Sequence, residues 1–102
     1  MGIVVVIEDE LGKAVSSIVD EKNVLHRILP SIDDHNFFLL NRIDWYGDTT
    51  FNRYQVIDIQ SELKRLEERE NGEKELAMIR LLIDLSQQCL ESPHLYLKFY
   101  GD

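Results

Sequence analysis

Asp44 and Asp48 flank Trp45-Tyr46-Gly47. Two carboxylates beside aromatic rings are what a glycosidase or a metal-dependent nuclease uses. The same residues have a plainer account. Asp and Gly make a turn, the carboxylates pair with Arg42 or Arg53, and Trp45 packs beneath the loop. If the rings are exposed, Trp and Tyr are the side chains that anchor protein interfaces. Asp33 and Asp34 stand upstream beside His35. That donor cluster suits a hard cation only with help from elsewhere, and turn and capping roles explain it better.

Other chemistry is scarce. His26, His35 and His94 lack the i, i+4 spacing of a zinc helix. His26 borders the apolar side of a short helix, which suits a satisfied, half-buried histidine. The single Cys89 falls in an apolar arc, where a free thiol behaves as a small hydrophobe rather than a nucleophile. It also fits a reducing cytosol. The 5 Gly never cluster into a phosphate loop, and Gly-x-Ser-x-Gly, Cys-x-x-Cys and His-Glu-x-x-His are all missing from the sequence. No cofactor is implied.

The chain has 102 residues, one domain's worth, so residues 1–102 are expected to share one core. Hydrophobic residues at 44% and charged residues at 29% are ordinary for a globular protein. No apolar run approaches the ~18 residues of a membrane span, and the start Met1-Gly2-Ile3-Val4 has no basic region, so a cytoplasmic protein is expected. The net charge of −8 repels nucleic acid. Acidic side chains crowd Glu8-Asp9-Glu10 and the 31–51 region, where only Arg42 opposes them.

The elements that must position these residues follow from periodicity. Ile3 to Ile7 are five consecutive β-branched residues, expected as a strand buried on both faces. A turn at Gly12 leads to a second strand over Ala14–Val19, forming an antiparallel hairpin. Val24, Leu25, Ile28 and Leu29 make one face of a short helix over 22–29, stopped by Pro30. Residues 31–51 are the least regular. Phe37-Phe38-Leu39-Leu40 is an apolar plug, as a short strand or a helical turn, and Asp44 to Thr49 is a loop. Asn52 caps a helix, with Gln55 completing a capping box and Phe51 and Val56 forming a hydrophobic staple. Its stripe is Val56, Ile59, Leu63 and Leu66, while Glu62, Lys64, Arg65, Glu67, Glu68, Arg69 and Glu70 make a solvated face. Asn71-Gly72 separates it from a second helix whose apolar residues cover ~220° of the wheel, more than one neighbouring helix can bury. That arc must meet the sheet or a second chain. After Ser92-Pro93, His94 to Tyr100 alternate as a half-buried strand beside the first. Tyr96, Lys98 and Tyr100 form an open platform on one face unless the short helix covers it. Tyr-Gly-Asp occurs at 46–48 and at 100–102 with different flanks and is taken as coincidence.

Tyr46-Gly47-Asp48-Thr49-Thr50-Phe51-Asn52-Arg53-Tyr54-Gln55, the ending Leu97-Lys98-Phe99-Tyr100-Gly101-Asp102 and the stretch Val24 to Pro30 resemble a family of small bacterial proteins. The resemblance covers nearly the whole chain. It implies an immunity function in a polymorphic toxin system, where a small acidic protein neutralises a toxin domain. It carries over no site residue. The expectation is therefore an α+β protein, a small antiparallel sheet (N-terminal hairpin plus C-terminal strand) on an α-helical hairpin. It binds and occludes a cognate toxin, itself basic, through Asp44, Trp45, Tyr46 and Asp48 with Asp33 and Asp34 at the rim. The alternatives are a homodimeric structural or regulatory subunit using the apolar arc, and a small hydrolase using Asp44 and Asp48.

Overall fold

The β-branched run forms β1 (Val4–Glu8). The computed structural model, which describes residues 2–70 and 72–101, places it at the centre of the sheet. β2 (Ala14–Val19) pairs antiparallel on one side and β4 (Tyr96–Tyr100) on the other. Ile3, Val5 and Ile7 enter the main core, and Leu97 and Phe99 join them from β4. Val4, Val6 and Glu8 therefore point to the opposite face, together with Tyr96, Lys98 and Tyr100.

The protein is α+β, with one strand more than the sequence suggested. Asp48–Phe51 form β3, an edge strand pairing antiparallel with β4, so the sheet order is β2-β1-β4-β3. The short helix is trimmed to α1 (Leu25–Ile28), and its expected apolar face (Val24, Leu25, Ile28, Leu29) is buried. The 37–40 plug is a turn leading into a 3-10 turn at Leu40–Arg42, with Phe37 and Leu40 buried and Phe38 exposed. The last strand starts at Tyr96 rather than His94, because His94 takes a positive φ of 65° in the turn before it.

α2 (Arg53–Arg69) begins where its capping chemistry places it. The Asn52 side chain accepts from the Gln55 N–H at 3.0 Å, and the Gln55 side chain accepts from the Asn52 N–H at 2.9 Å. Phe51 and Val56 are buried, as the staple requires. Asn52→Ala is expected to cost about 1 kcal/mol in urea unfolding, with the native fold retained. The whole Val56, Ile59, Leu63, Leu66 stripe is buried.

α3 (Glu73–Leu90) packs on α2 and also meets α1 and β4. Gly72 is its N-cap; Asn71, the other half of the expected break, lies outside the described residues. These neighbours account for the wide arc within one chain. Met78, Ile79, Leu82, Leu85 and Cys89 are buried, and Leu81 is the large residue left exposed. A homodimer built on Leu82 and Leu85 therefore has no surface to use. Ser86, which interrupts the arc, is buried and donates its hydroxyl to the Ile83 carbonyl at 2.7 Å.

Candidate functional site

The loop from Asp44 to Gly47 is held by side-chain oxygens that accept from its backbone N–H groups. The Asp44 N–H donates to Thr49 Oγ1 at 2.9 Å, and Asp44 Oδ1 accepts from the Tyr46 N–H at 2.9 Å. A Cβ on Gly47 would lie 2.7 Å from Asp44 Oδ2, so glycine lets the carboxylate fold in. From the other side the Gly101 N–H donates to the Gly47 carbonyl at 2.8 Å. A Cβ on Gly101 would lie 2.4 Å from the Trp45 carbonyl oxygen, a backbone atom that cannot swing aside. Asp48 stands opposite Tyr100 in the same register. Gly47 and Gly101 are thus partners across the β3–β4 junction; Asp102 lies outside the described residues.

This clamp decides what each side chain does. Trp45 is half-buried against the core, and its ring meets the His26 imidazole edge-on, 4.7 Å between centroids. It is the foot of the loop rather than its exposed anchor, and it gives His26 the partner expected of a half-buried histidine. Tyr46 is 81% exposed at the tip. Asp44 and Asp48 are both exposed, but they face different partners. Asp44 holds the loop, whereas Asp48 lies on the outer sheet face, where its charge acts on Lys98. Their distinct partners give no support to an acid–base pair.

Of the two expected rim residues, Asp34 bonds to α2 and Asp33 is exposed next to Ile32. Pro30, Ser31 and Ile32 line a shallow groove together with Arg42, Asp44, Trp45 and Tyr46. Asp34 turns to α2, where Oδ2 lies 3.3 Å from Arg69 Nη2 and Oδ1 accepts from the Asn36 N–H at 3.2 Å. Burial pushes its carboxyl up, but the Asn36 N–H and the Arg69 guanidinium outweigh burial and hold it below the usual aspartate range. The same guanidinium lies 4.6 Å from the centre of the Phe37 ring.

The Tyr96–Tyr100 platform is open to solvent in part. α1 packs on α3, so it does not cover that face. Glu8, Lys98 and Tyr100 interact with one another on it. The Tyr100 hydroxyl donates to Glu8 Oε2, and Lys98 Nζ lies 3.7 Å from Glu8 Oε1 and 4.9 Å from the centre of the Tyr100 ring. Bonding to Tyr100 and the nearby Glu8 and Asp48 charges hold the Lys98 ammonium above its usual range against the pull of burial. The Tyr100 phenol is raised in turn, chiefly by its hydrogen bond to Glu8.

Two carboxylates that the sequence hid are structural. Glu62 is 4% exposed, and its oxygens accept from the Leu39 N–H at 3.1 and 3.3 Å and the Leu40 N–H at 3.0 Å. Asp20, also buried, accepts from the Val24 and Leu25 N–H groups at 2.8 and 2.7 Å and so starts α1. Cys89 is buried, and burial pushes its thiol up, away from thiolate chemistry. Among the described residues, no group of three or more His, Cys, Asp or Glu is arranged to hold a metal ion, and no helix is long and apolar enough to cross a membrane. Phe38 and Tyr54, both exposed, flank a second groove over α2 lined by Leu39, Asp58 and Arg65. Comparison with protein-family models, with curated proteins and with solved structures gives no match.

Proposed function

We propose that the protein is a non-enzymatic inhibitor that binds and occludes a cognate bacterial toxin domain, acting in the cytoplasm as an immunity protein. The observation that carries this reading is Tyr46, 81% exposed on a loop clamped from both sides, beside the exposed carboxylates of Asp44 and Asp48. A side chain held ready on a rigid loop loses little entropy on binding. Tyrosine supplies a large contact area with a polar tip, the chemistry of interface hot spots. The net charge of −8 draws in a basic partner. A toxin that cuts nucleic acid is basic where it holds phosphate. Carboxylates set in that groove compete with substrate, and the tyrosine fixes the complex.

The test uses the product of the reading frame beside the gene, which this reading requires to be a toxic domain. Tyr46→Ala is expected to weaken binding by at least ~2 kcal/mol in a protein that stays folded. Asp48→Asn should mainly slow association and flatten its salt dependence, leaving dissociation almost unchanged. Unchanged affinity in the folded Tyr46→Ala, Asp48→Asn double variant would remove this loop from the interface. Hydrolysis by the purified protein, lost with Asp44→Asn, would overturn the inhibitor reading.

A further inference from the structure

We infer that the groove between Ile32 and Tyr46 is a binding site for an arginine side chain of a partner protein. The inference deepens the inhibitor reading, and it rests on that reading for which protein supplies the arginine. Asn41, Arg42, Asp44 and Trp45 complete the lining that matters here.

The groove holds a buried acceptor that nothing meets. Asn41 is 7% exposed, whereas Arg42 and Asp44 beside it are exposed. Its Nδ2 donates to the Ile32 and Asp34 carbonyls, both at 3.2 Å. Two carbonyls at one end of the amide fix that end as nitrogen, because only the nitrogen can donate. Oδ1 is the end left over, and no donor among the described residues reaches it. An unmet buried acceptor costs stability and calls for a donor from outside. Oδ1 is covered in the unbound protein. Ile32 is the lining side chain free to swing aside: it is 63% exposed, and its backbone carbonyl stays tied to Asn41 as it moves.

Asp44 adds a second acceptor and the charge. Its Oδ1 accepts from the Tyr46 N–H at 2.9 Å. The ion pairs among the described residues all lie elsewhere, so no cation neutralises this carboxylate. Tyr46, 81% exposed, and half-buried Trp45 supply aromatic surface beside it.

This combination selects a guanidinium. It carries five N–H donors in one plane, enough to meet a carboxylate and an amide oxygen together. It is weakly hydrated and stacks on aromatic rings, whereas an ammonium is a strongly hydrated point charge. Its aliphatic stem suits Ile32. Arg42 lines the same groove and opposes an incoming cation. Asp44 and the exposed Asp33 next to Ile32 outweigh that single charge.

The probe is blocked arginine (the acetyl, methylamide derivative), titrated into the full chain at low salt and followed by NMR. Blocked lysine and blocked citrulline are the controls, the first equal in charge and the second equal in shape but neutral. Saturable millimolar binding is expected, with shifts at the Trp45 indole, the Tyr46 amide and the Asn41 side-chain amide. Lysine should bind about threefold more weakly and citrulline about tenfold more weakly. Asp44→Asn keeps an acceptor for the Tyr46 N–H and should weaken arginine binding about fivefold. Arg42→Gln should tighten it about twofold, a sign that damage to the fold does not produce. Absence of saturation overturns the inference, as does equal binding of lysine or citrulline, or weakening by Arg42→Gln. Asn41 signals that stay still while the others saturate would assign its oxygen to water alone and overturn it too. Because the probe replaces the toxin, its failure and a failure of toxin inhibition are read separately.

Discussion

Glu62→Ala is expected to destabilise the protein by about 3 kcal/mol in chemical denaturation, more than any other change on the outer half of α2. The carboxylate is buried and accepts from the Leu39 and Leu40 backbone N–H groups, which open the 3-10 turn at Leu40–Arg42. Alanine would leave two donors inside the protein with nothing to bond, and an unmet buried donor costs about 1–3 kcal/mol. The effect has a location. The 31–43 segment should loosen, and amide exchange at Leu39 and Leu40 should rise well before exchange in the α2–α3 pair. Glu62→Gln keeps one acceptor oxygen and should cost less than alanine. A loss below ~1 kcal/mol for Glu62→Ala would mean that water replaces the carboxylate and that the segment holds itself.

Leu82→Ala should cost about 4 kcal/mol, near the upper part of the range for emptying a well-packed site. Leu82 is 1% exposed on α3, which touches α1, α2 and β4, so the cavity has walls on several sides and little room to collapse. Leu85→Ala should fall in the same ~2–5 kcal/mol range. Thermal or urea unfolding at two protein concentrations checks the assignment. A core residue gives the same loss at both. A loss that shrinks as concentration rises would return these leucines to a subunit interface.

The legible parts of the fold were those whose causes are local. The α2 start is set by three residues within hydrogen-bonding reach of one another, Asn52 and Gln55 with Phe51 beneath them. The β-branched run of β1 and the alternation in β4 needed no knowledge of their neighbours. β3 was hidden because Asp48, Thr49 and Thr50 have no strand pattern of their own; pairing with β4 makes them a strand. The contact between Gly47 and Gly101 depends on the register that sets β3 beside β4 and is not readable from either stretch alone. Glu62 lies about 40° beyond the edge of the buried stripe on the helical wheel. That position leaves a side chain buried or solvated according to what covers it, and the covering segment, 37–40, was itself the least regular. Trp45 and Tyr46 are adjacent in sequence, yet one supports the loop and the other tops it. Only the clamp by Gly101 distinguishes them.

Titrating the product of the reading frame beside the gene, which the proposal requires to be a toxic domain, with purified protein is the most direct measurement of the central claim. An occluding inhibitor acts by mass. Activity should fall linearly and reach zero at one equivalent of protein per toxin, with Tyr46→Ala giving a shallow, incomplete curve. Loss of toxin activity at a small fraction of an equivalent, progressing with time, would contradict occlusion and reveal an enzyme. Full toxin activity at several equivalents would contradict the partnership itself.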